Sequence, residues 1–445
     1  RRAWEPARCS SYRRGRSVGV IAAGRMIAIH DPIHGTIEVS PTEIKLIDSR
    51  PFQRLRHIKQ LGFSELAFPG ATHTRYAHSL GAMAMATRMV ERALAVVEAT
   101  DVEKARLRQT VRLAVLFHDL GHAPMSHVSE RVMPDAGELA LGSWVDDPKR
   151  QATHEDYTVL LLTRSELTQL IDEQVGAIGV TGARLAALVM GTPAPGDEQA
   201  FIVGGVDLLP LLHQIVSSEM DADRMDYLRR DAYYAGVTYG NFDHQWLTAN
   251  ITAVEWEGTL AMALQHRGMW AFENFLLARY HMFLSVYYHY TPICFDSLLG
   301  RFYESGEYKL PADADGYLAT DDVELNMALR RSNDPWAKLV VRRRPYRMLV
   351  ETHEFSAKEA PTIDAKLADA GVDFFRATSR GVLSKYFRKR DEAFPLLVIE
   401  PERNRVSRIE DYTPLYRRFD EAVAVSRVYC KPEHLELAKK VLAAP

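Results

Sequence analysis

The chain has 445 residues, 47% apolar and 25% charged, with a formal net charge of −3. That much apolar sequence excludes wholesale disorder, and the near-neutral balance argues against a dedicated duplex-DNA binder, though a pocket for a small anion needs only local charge. Three cysteines, Cys9, Cys294 and Cys430, are odd in number and far apart, fit neither a disulfide framework nor a Cys-rich zinc site, and point to a reducing, cytoplasmic setting.

The N-terminus carries Arg1, Arg2, Arg8, Arg13, Arg14 and Arg16 ahead of a short apolar run at 18–23. This imitates a secretory signal, but the run is short and Arg25 interrupts it, so residues 1–26 are expected to be a disordered basic leader. Residues 27–40 alternate around a Pro-Ile-His-Gly turn and predict a hairpin. From 41 to 300 helical periodicity dominates, most clearly at 82–97, 107–117, 157–162 and 208–216, with one long aromatic-rich helix expected over 269–290. Segments 137–152 and 192–206 carry Gly, Pro and charge and predict loops. Beyond turns near 311–316 and 334–335, strands are expected at 346–351 and 395–400 and helices at 361–370 and 432–443. The predicted fold is mainly α: a helical core over 27–330 and a smaller C-terminal α+β region over 331–445. No window approaches the roughly 18 uninterrupted apolar residues of a membrane helix, and no repeat of 20–50 residues is visible.

The chemistry concentrates at Leu116-Phe117-His118-Asp119-Leu120-Gly121-His122-Ala123-Pro124-Met125-Ser126-His127. His118 and His122 share a face if the helix continues. Imidazole beside carboxylate suits a divalent metal such as Zn, Mn or Fe, and carboxylate also suits Mg. Gly121 leaves room for a ligand or a second backbone. Upstream, His78 lies in Thr72-His-Thr-Arg-Tyr-Ala-His-Ser-Leu-Gly81, where a helix begins. Downstream runs Glu219-Met-Asp-Ala-Asp-Arg-Met-Asp-Tyr-Leu-Arg-Arg-Asp231. Asp221 and Asp223 cannot both face the core on one helix, so one is expected as a ligand and the other as a cap or in solvent. An exposed, salt-bridged helix is the competing reading of that stretch.

His78, then His118-Asp119, then Asp223 resembles the metal-binding pattern of the HD-domain phosphohydrolase superfamily. Asp31-Pro-Ile-His-Gly35, Phe52-Gln-Arg-Leu-Arg-His-Ile-Lys-Gln-Leu-Gly62, Phe68-Pro-Gly-Ala-Thr-His-Thr-Arg-Tyr-Ala-His-Ser-Leu-Gly81 and Asp221-Ala-Asp-Arg-Met-Asp-Tyr227 resemble its deoxynucleoside triphosphate (dNTP) triphosphohydrolase branch, over about residues 27–300. The resemblance implies that His78, His118, Asp119 and Asp223 bind a divalent metal (Mn, Mg, Fe or Zn). It implies that His122 sits beside the α-phosphate, with His127, Glu130 and His154 supporting phosphate binding and proton transfer; Glu130 stands where relatives often have Asp. Gln60 and Leu61 are implied to face the sugar, the Leu leaving no space for a 2′-hydroxyl, with Asp231 as acceptor for the 3′-hydroxyl. Arg75, Arg224 and Arg279 are implied to pair with the triphosphate, and Tyr227 and Tyr287 to line sugar and base. Phe283 stands where relatives often place a His. Tyr287 and Phe283 also fit ordinary aromatic core.

Asp48, Gln53 and Arg56 resemble positions that recognise a guanine nucleotide activator (GTP or dGTP) at a subunit interface, in a homo-oligomer, tetramer or dimer. Ile27 stands where a lysine helps hold that activator. The competing reading is a surface helix with a few polar residues. The implied activity is metal-dependent hydrolysis of dNTPs to deoxynucleoside and inorganic triphosphate. Two alternatives stand beside it: another HD-type hydrolase acting on monophosphates, cyclic nucleotides or (p)ppGpp, and a catalytically silent nucleotide or nucleic-acid sensor. The leader and Arg342-Arg343-Arg344 leave room for nucleic acid.

Overall fold

Alternation at the start of the chain produces an antiparallel hairpin, Ile27–Asp31 paired with Gly35–Val39. The computed structural model describes residues 25–353, 360–382, 395–417 and 422–443. Residues 1–24 of the expected leader lie outside the described residues. Ser40 then caps the Pro41–Ile47 helix and Glu43 closes the capping box, so the strand-to-helix junction is satisfied locally.

Two long helices form the frame of the site. Arg75–Ala93 and Asp101–Phe117 pack against each other, and Arg75–Ala93 also packs against Ala222–Ala235. Thr100 and Glu103 make a capping box at the start of Asp101–Phe117, which ends at His118. Thr153 and Asp156 do the same for His154–Arg164. One continuous core holds these helices together, with Met83, Met89, Leu113, Leu116, Phe117, Leu161 and Met225 all fully buried.

Two glycines let the helices approach. A Cβ on Gly81 would run into the side chains of Asp226 and Arg230, and one on Gly121 into the backbone of His154 and Thr158. Both contacts bring chemically active residues to the centre.

The expected single helix over 269–290 is two. Met269–Met282 passes into a π-turn, Phe283–Tyr287, and a new helix, Tyr290–Glu304, starts after His289 caps it. Pro292 gives the reason: a proline cannot donate to the carbonyl four residues back and its ring collides with it, so the first helix has to end before. A second departure is an unexpected hairpin, Ile251–Trp256 with Thr259–Gln265. It belongs to a four-stranded sheet ordered 405–408, 397–400, 259–265, 251–256, whose 259–265/397–400 pairing is parallel.

The fold is therefore a mainly α core followed by a smaller mixed α/β region. The C-terminal part carries an antiparallel three-stranded sheet, ordered 347–353, 422–430, 374–382, with Ala360–Asp369 and Leu435–Ala443 packed together beside it. It has a small core of its own, with Leu367, Val372, Val428, Cys430 and Ala438 buried. Arg342, Arg343 and Arg344 are exposed just after the Pro335–Val341 helix.

Candidate active site and metal centre

His78 comes from the first turn of Arg75–Ala93, His118 and Asp119 from the residues that follow Asp101–Phe117, and Asp223 from the first turn of Ala222–Ala235. The three elements meet there. His78 Nε2 lies 3.0 Å from Asp223 Oδ1 and 3.6 Å from Asp119 Oδ2. His118 Nε2 lies 3.3 Å from Asp119 Oδ1 and 3.5 Å from Asp223 Oδ1. Asp221 is the cap of Ala222–Ala235, accepting from the Arg224 N–H at 2.8 Å, which leaves Asp223 to face the histidines.

These residues fit a divalent cation. The Nδ1 of each histidine is already committed, His78 to Asp226 Oδ2 at 2.8 Å and His118 to the Val115 carbonyl at 2.6 Å. Both Nε2 atoms are buried and make no hydrogen bond. Two imidazole nitrogens with fixed orientation and two carboxylates converge, a donor set suited to Mn, Fe, Zn or Mg, with Asp226 orienting a ligand from behind.

The carboxylates make this a place where positive charge is stabilised. Burial opposes charge on His78, but Asp223 and Asp226 outweigh it and push its pKa up to about 10. Burial likewise works against ionised Asp119, yet the Arg75, His118 and His122 charges hold it well below the usual carboxylate range.

Beside this centre opens a cavity of about 590 Å³. Gln60, Leu61, Arg75, His122, His127, His154, Arg224, Tyr227, Asp231, Arg279 and Tyr287 all line it, together with His118, Asp119 and Asp223. His78 and Glu130 do not: His78 is fully buried, and Glu130 is engaged by His127 and His154. Arg75 donates to Asp119 Oδ2 at 2.6 Å and to Ser126 Oγ at 3.0 Å. Arg279 and Arg224 both approach Glu219, at 3.3 and 3.8 Å. Asp231 accepts from the Tyr287 hydroxyl at 2.7 Å and lies 2.7 Å from His73 Nε2. Phe283 and Tyr287 both line the cavity and pack edge-on against each other.

The other histidines form a stack. The His122 and His154 rings are parallel with centroids 4.1 Å apart, and Glu130 bridges His154 and His127 at 2.7 and 2.9 Å. Burial, then Arg75 and His154, holds the His122 pKa well below its ordinary value. Burial raises the Glu130 pKa, but the two histidine partners pull it down further. His122, His127, Glu130 and His154 are together a second group with metal-ligating spacing.

Asp48, Gln53 and Arg56 lie outside the cavity, gathered around Tyr76. The Arg56 guanidinium covers the Tyr76 ring at 3.6 Å and donates to Gln53 Oε1 at 2.7 Å. Four residues that the sequence reading passes over complete the site: His34, His73, Asp226 and Arg230. Asp226 lies one helical turn beyond Asp223, a spacing that puts both on one face. Asp296, in the cavity wall, is pushed up to about 7 by burial, against the pull of Arg131.

The family model described as HD domain matches residues 75–179, and the one described as HD associated region matches 242–366. An uncharacterized protein of Methanocaldococcus jannaschii is 30% identical over 325 residues, covering 73% of this chain and 60% of that protein. An uncharacterized Bacillus subtilis protein is 33% identical over 267 residues, 58% of this chain and 51% of its own length. The chain thus spans little more than half the length of these curated relatives. Human deoxynucleoside triphosphate triphosphohydrolase SAMHD1 is 34% identical over 230 residues, 49% of this chain and 35% of that enzyme. The crystal structure of a hypothetical protein from Aquifex aeolicus superposes with a TM-score of 0.71 at 26% identity, covering 94% of this chain and all of that one. Among the described residues no helix is long and apolar enough to cross a membrane. The chain is an HD-domain superfamily protein, distantly related to the SAMHD1-like enzymes.

Proposed function

We propose that the chain is a metal-dependent phosphohydrolase that cleaves dNTPs to deoxynucleoside and inorganic triphosphate. The observation that carries this reading is the company the metal quartet keeps: one cavity is lined by Gln60-Leu61, by Asp231 with Tyr287, and by three arginines. Arg75, Arg224 and Arg279 hold the triphosphate, since guanidinium forks match phosphate oxygens. Asp231, fixed by His73 and Tyr287, accepts the sugar 3′-hydroxyl, and Leu61 closes the space a 2′-hydroxyl needs.

His78, His118, Asp119 and Asp223 would hold a divalent ion, which would supply Lewis acidity toward a phosphoryl oxygen and lower the pKa of the attacking water. Water adds at the α-phosphorus, the bond to the 5′ oxygen breaks, and that oxygen takes up a proton. His122, held neutral at ordinary pH by burial and by Arg75, hydrogen-bonds at the α-phosphate. The proton for the leaving oxygen arrives through the His154–Glu130–His127 group, which reaches solvent where the His127 side chain is 67% exposed.

Asp48, Gln53 and Arg56 form a surface site for a guanine nucleotide activator in a homo-oligomer, tetramer or dimer, located in the cytoplasm. Nucleotide there shifts the population toward the assembled form through its differential affinity.

Product identification tests the reading. Purified protein with each dNTP and Mn or Mg, with and without GTP, is expected to release triphosphate and deoxynucleoside, and Asp119→Ala to release neither. Phosphate or pyrophosphate as the product instead assigns one of the other HD-type reactions, and no turnover under any condition assigns a sensor.

A further inference from the structure

A second cavity, of about 430 Å³, shares no lining residue with the first. It opens between the turn of the N-terminal hairpin, the Arg75–Ala93 helix, the Ala222–Ala235 helix and the short His244–Ala249 helix. Arg88 and Arg92 line it one helical turn apart on the Arg75–Ala93 helix, and Arg229 lines it from the Ala222–Ala235 helix. His34, His244, Gln245 and Thr248 also line it. The single acid is Glu91, exposed, with its carboxylate 3.9 Å from Arg108. The cavity is thus a concentration of cations in a chain whose overall charge is slightly negative.

Two of its nitrogens are buried and have no partner: His34 Nδ1 and Arg229 Nη1. The His34 side chain is 0% exposed, and its other nitrogen is committed to Asp226 Oδ1 at 2.6 Å. Arg229 Nη2 donates to the Ile33 carbonyl at 3.2 Å. Of the two, Arg229 Nη1 is a donor, and a buried donor without an acceptor is unfavourable and asks for a reason. The cations also act on one another. Burial, then Arg229, Arg88 and His34, pushes the His244 pKa down to about 4. Burial lowers that of Arg229, with Asp226 and Asp31 opposing and Arg88 and Arg230 adding to the shift. A multiply charged oxyanion relieves both conditions at once, because each of its oxygens accepts and its charge offsets the cluster. Guanidinium groups favour a phosphate among such anions.

We propose that this cavity is a binding site for a phosphate-class anion, either free phosphate or polyphosphate or the phosphate tail of a nucleotide. The proposal is independent of the reaction assigned to the catalytic cavity.

The test uses the full chain and isothermal titration at fixed ionic strength, with inorganic triphosphate as one probe and ADP as the other. Wild type is expected to show two classes of site. Arg88→Glu/Arg92→Glu, a change at two exposed positions outside the catalytic cavity, should weaken one class tenfold or more and leave the other and the melting temperature unchanged. Arg229→Gln should weaken the same class. Weakening for triphosphate alone identifies a free anion, and weakening for both probes identifies the phosphate tail. Wild-type binding of both probes by both variants overturns the proposal.

Discussion

His78 Nδ1 meets Asp226 Oδ2 at 2.8 Å, with both side chains fully buried. The contact decides which face of the imidazole is available, since a committed Nδ1 turns Nε2 toward Asp119 and Asp223. Asp226 is itself held from three sides. Its Oδ1 accepts from Arg230 at 2.9 Å and lies 2.6 Å from His34 Nε2, and Arg230 Nε donates to Oδ2 at 2.8 Å. Arg230 continues to Asp31 at 2.8 Å. One carboxylate thereby ties the hairpin, the Arg75–Ala93 helix and the Ala222–Ala235 helix to the orientation of a metal ligand.

Asp226→Asn breaks that tie. It leaves His78 free to rotate and Arg230 buried with Asp31 as its remaining anion. Metal affinity is expected to fall by roughly 10–100-fold, the range for losing an outer partner of a ligating His. Stability should drop by about 3–5 kcal/mol, because a buried charge loses its partner. Chelator competition and urea unfolding read the two effects separately, and unchanged metal affinity would detach Asp226 from the centre.

Leu61 is half-buried against the main core and lines the catalytic cavity beside Gln60. If it excludes a 2′-hydroxyl by volume, Leu61→Ala admits ribonucleotides. A pocket that discriminates by a small group is worth about 1–3 kcal/mol, so the deoxy/ribo ratio of kcat/KM is expected to fall roughly tenfold or more. Parallel assays on dGTP and GTP measure it, and a ratio equal to wild type removes that role from Leu61.

The His118-Asp119 pair is legible in the sequence because its chemistry is local, at the point where an apolar helix ends, whereas His78 and Asp223, each in the first turn of a helix, are joined to it only through the family resemblance. The ring of residues behind the quartet is not legible, because its partners are remote. His34 and Asp226 are 192 residues apart, His73 and Asp231 158. Helical periodicity also hides the Ile251–Trp256/Thr259–Gln265 hairpin, although a signal is present. Glu257 and Gly258 take positive φ, 50° and 83°, between two alternating runs, as a two-residue hairpin turn requires. Its neighbouring strand, Leu397–Glu400, joins from the C-terminal region. The mainly α character with a smaller mixed end was readable from composition and period, and the sheet that links the two parts was not.

Gly121 offers a test of how closely the helices must meet. A methyl group there collides with the His154 carbonyl and the Thr158 N–H. Gly121 N also donates to Thr158 Oγ1 at 3.0 Å, and its carbonyl accepts from Tyr317 at 2.6 Å, so the segment has little room to retreat. Gly121→Ala is expected to push the His154–Arg164 helix outward, separate the His122–His154 stack and cost about 1–3 kcal/mol as an overpacked site. Unfolding measurements give the stability loss. Activity should fall further than the lost folded fraction explains, and a stable, fully active variant would show that the stack is dispensable.

Glu43 provides a pH dependence remote from the metal centre. Its carboxylate is 1% exposed and accepts from Arg112 at 2.8 and 3.1 Å, from Gln109 at 3.0 Å and from the Ser40 N–H at 2.8 Å. Burial alone would raise its pKa, but Arg112 and the Ser40 and Gln109 hydrogen bonds outweigh burial and hold it below the usual value of 4.5. The folded state thus prefers the ionised form more than the unfolded chain does. The stability this contributes is fully present above about pH 4.5 and is lost as pH falls through the lower folded value. Glu43→Gln, which cannot titrate, should be less stable than wild type at pH 7 by about 3 kcal/mol, since it breaks a buried pair. The difference between the two should shrink steadily below about pH 4.5. Denaturant unfolding of both proteins across pH 3.5–7 measures the gap, and a gap independent of pH would mean that the Glu43 carboxylate keeps its unfolded pKa in the native state.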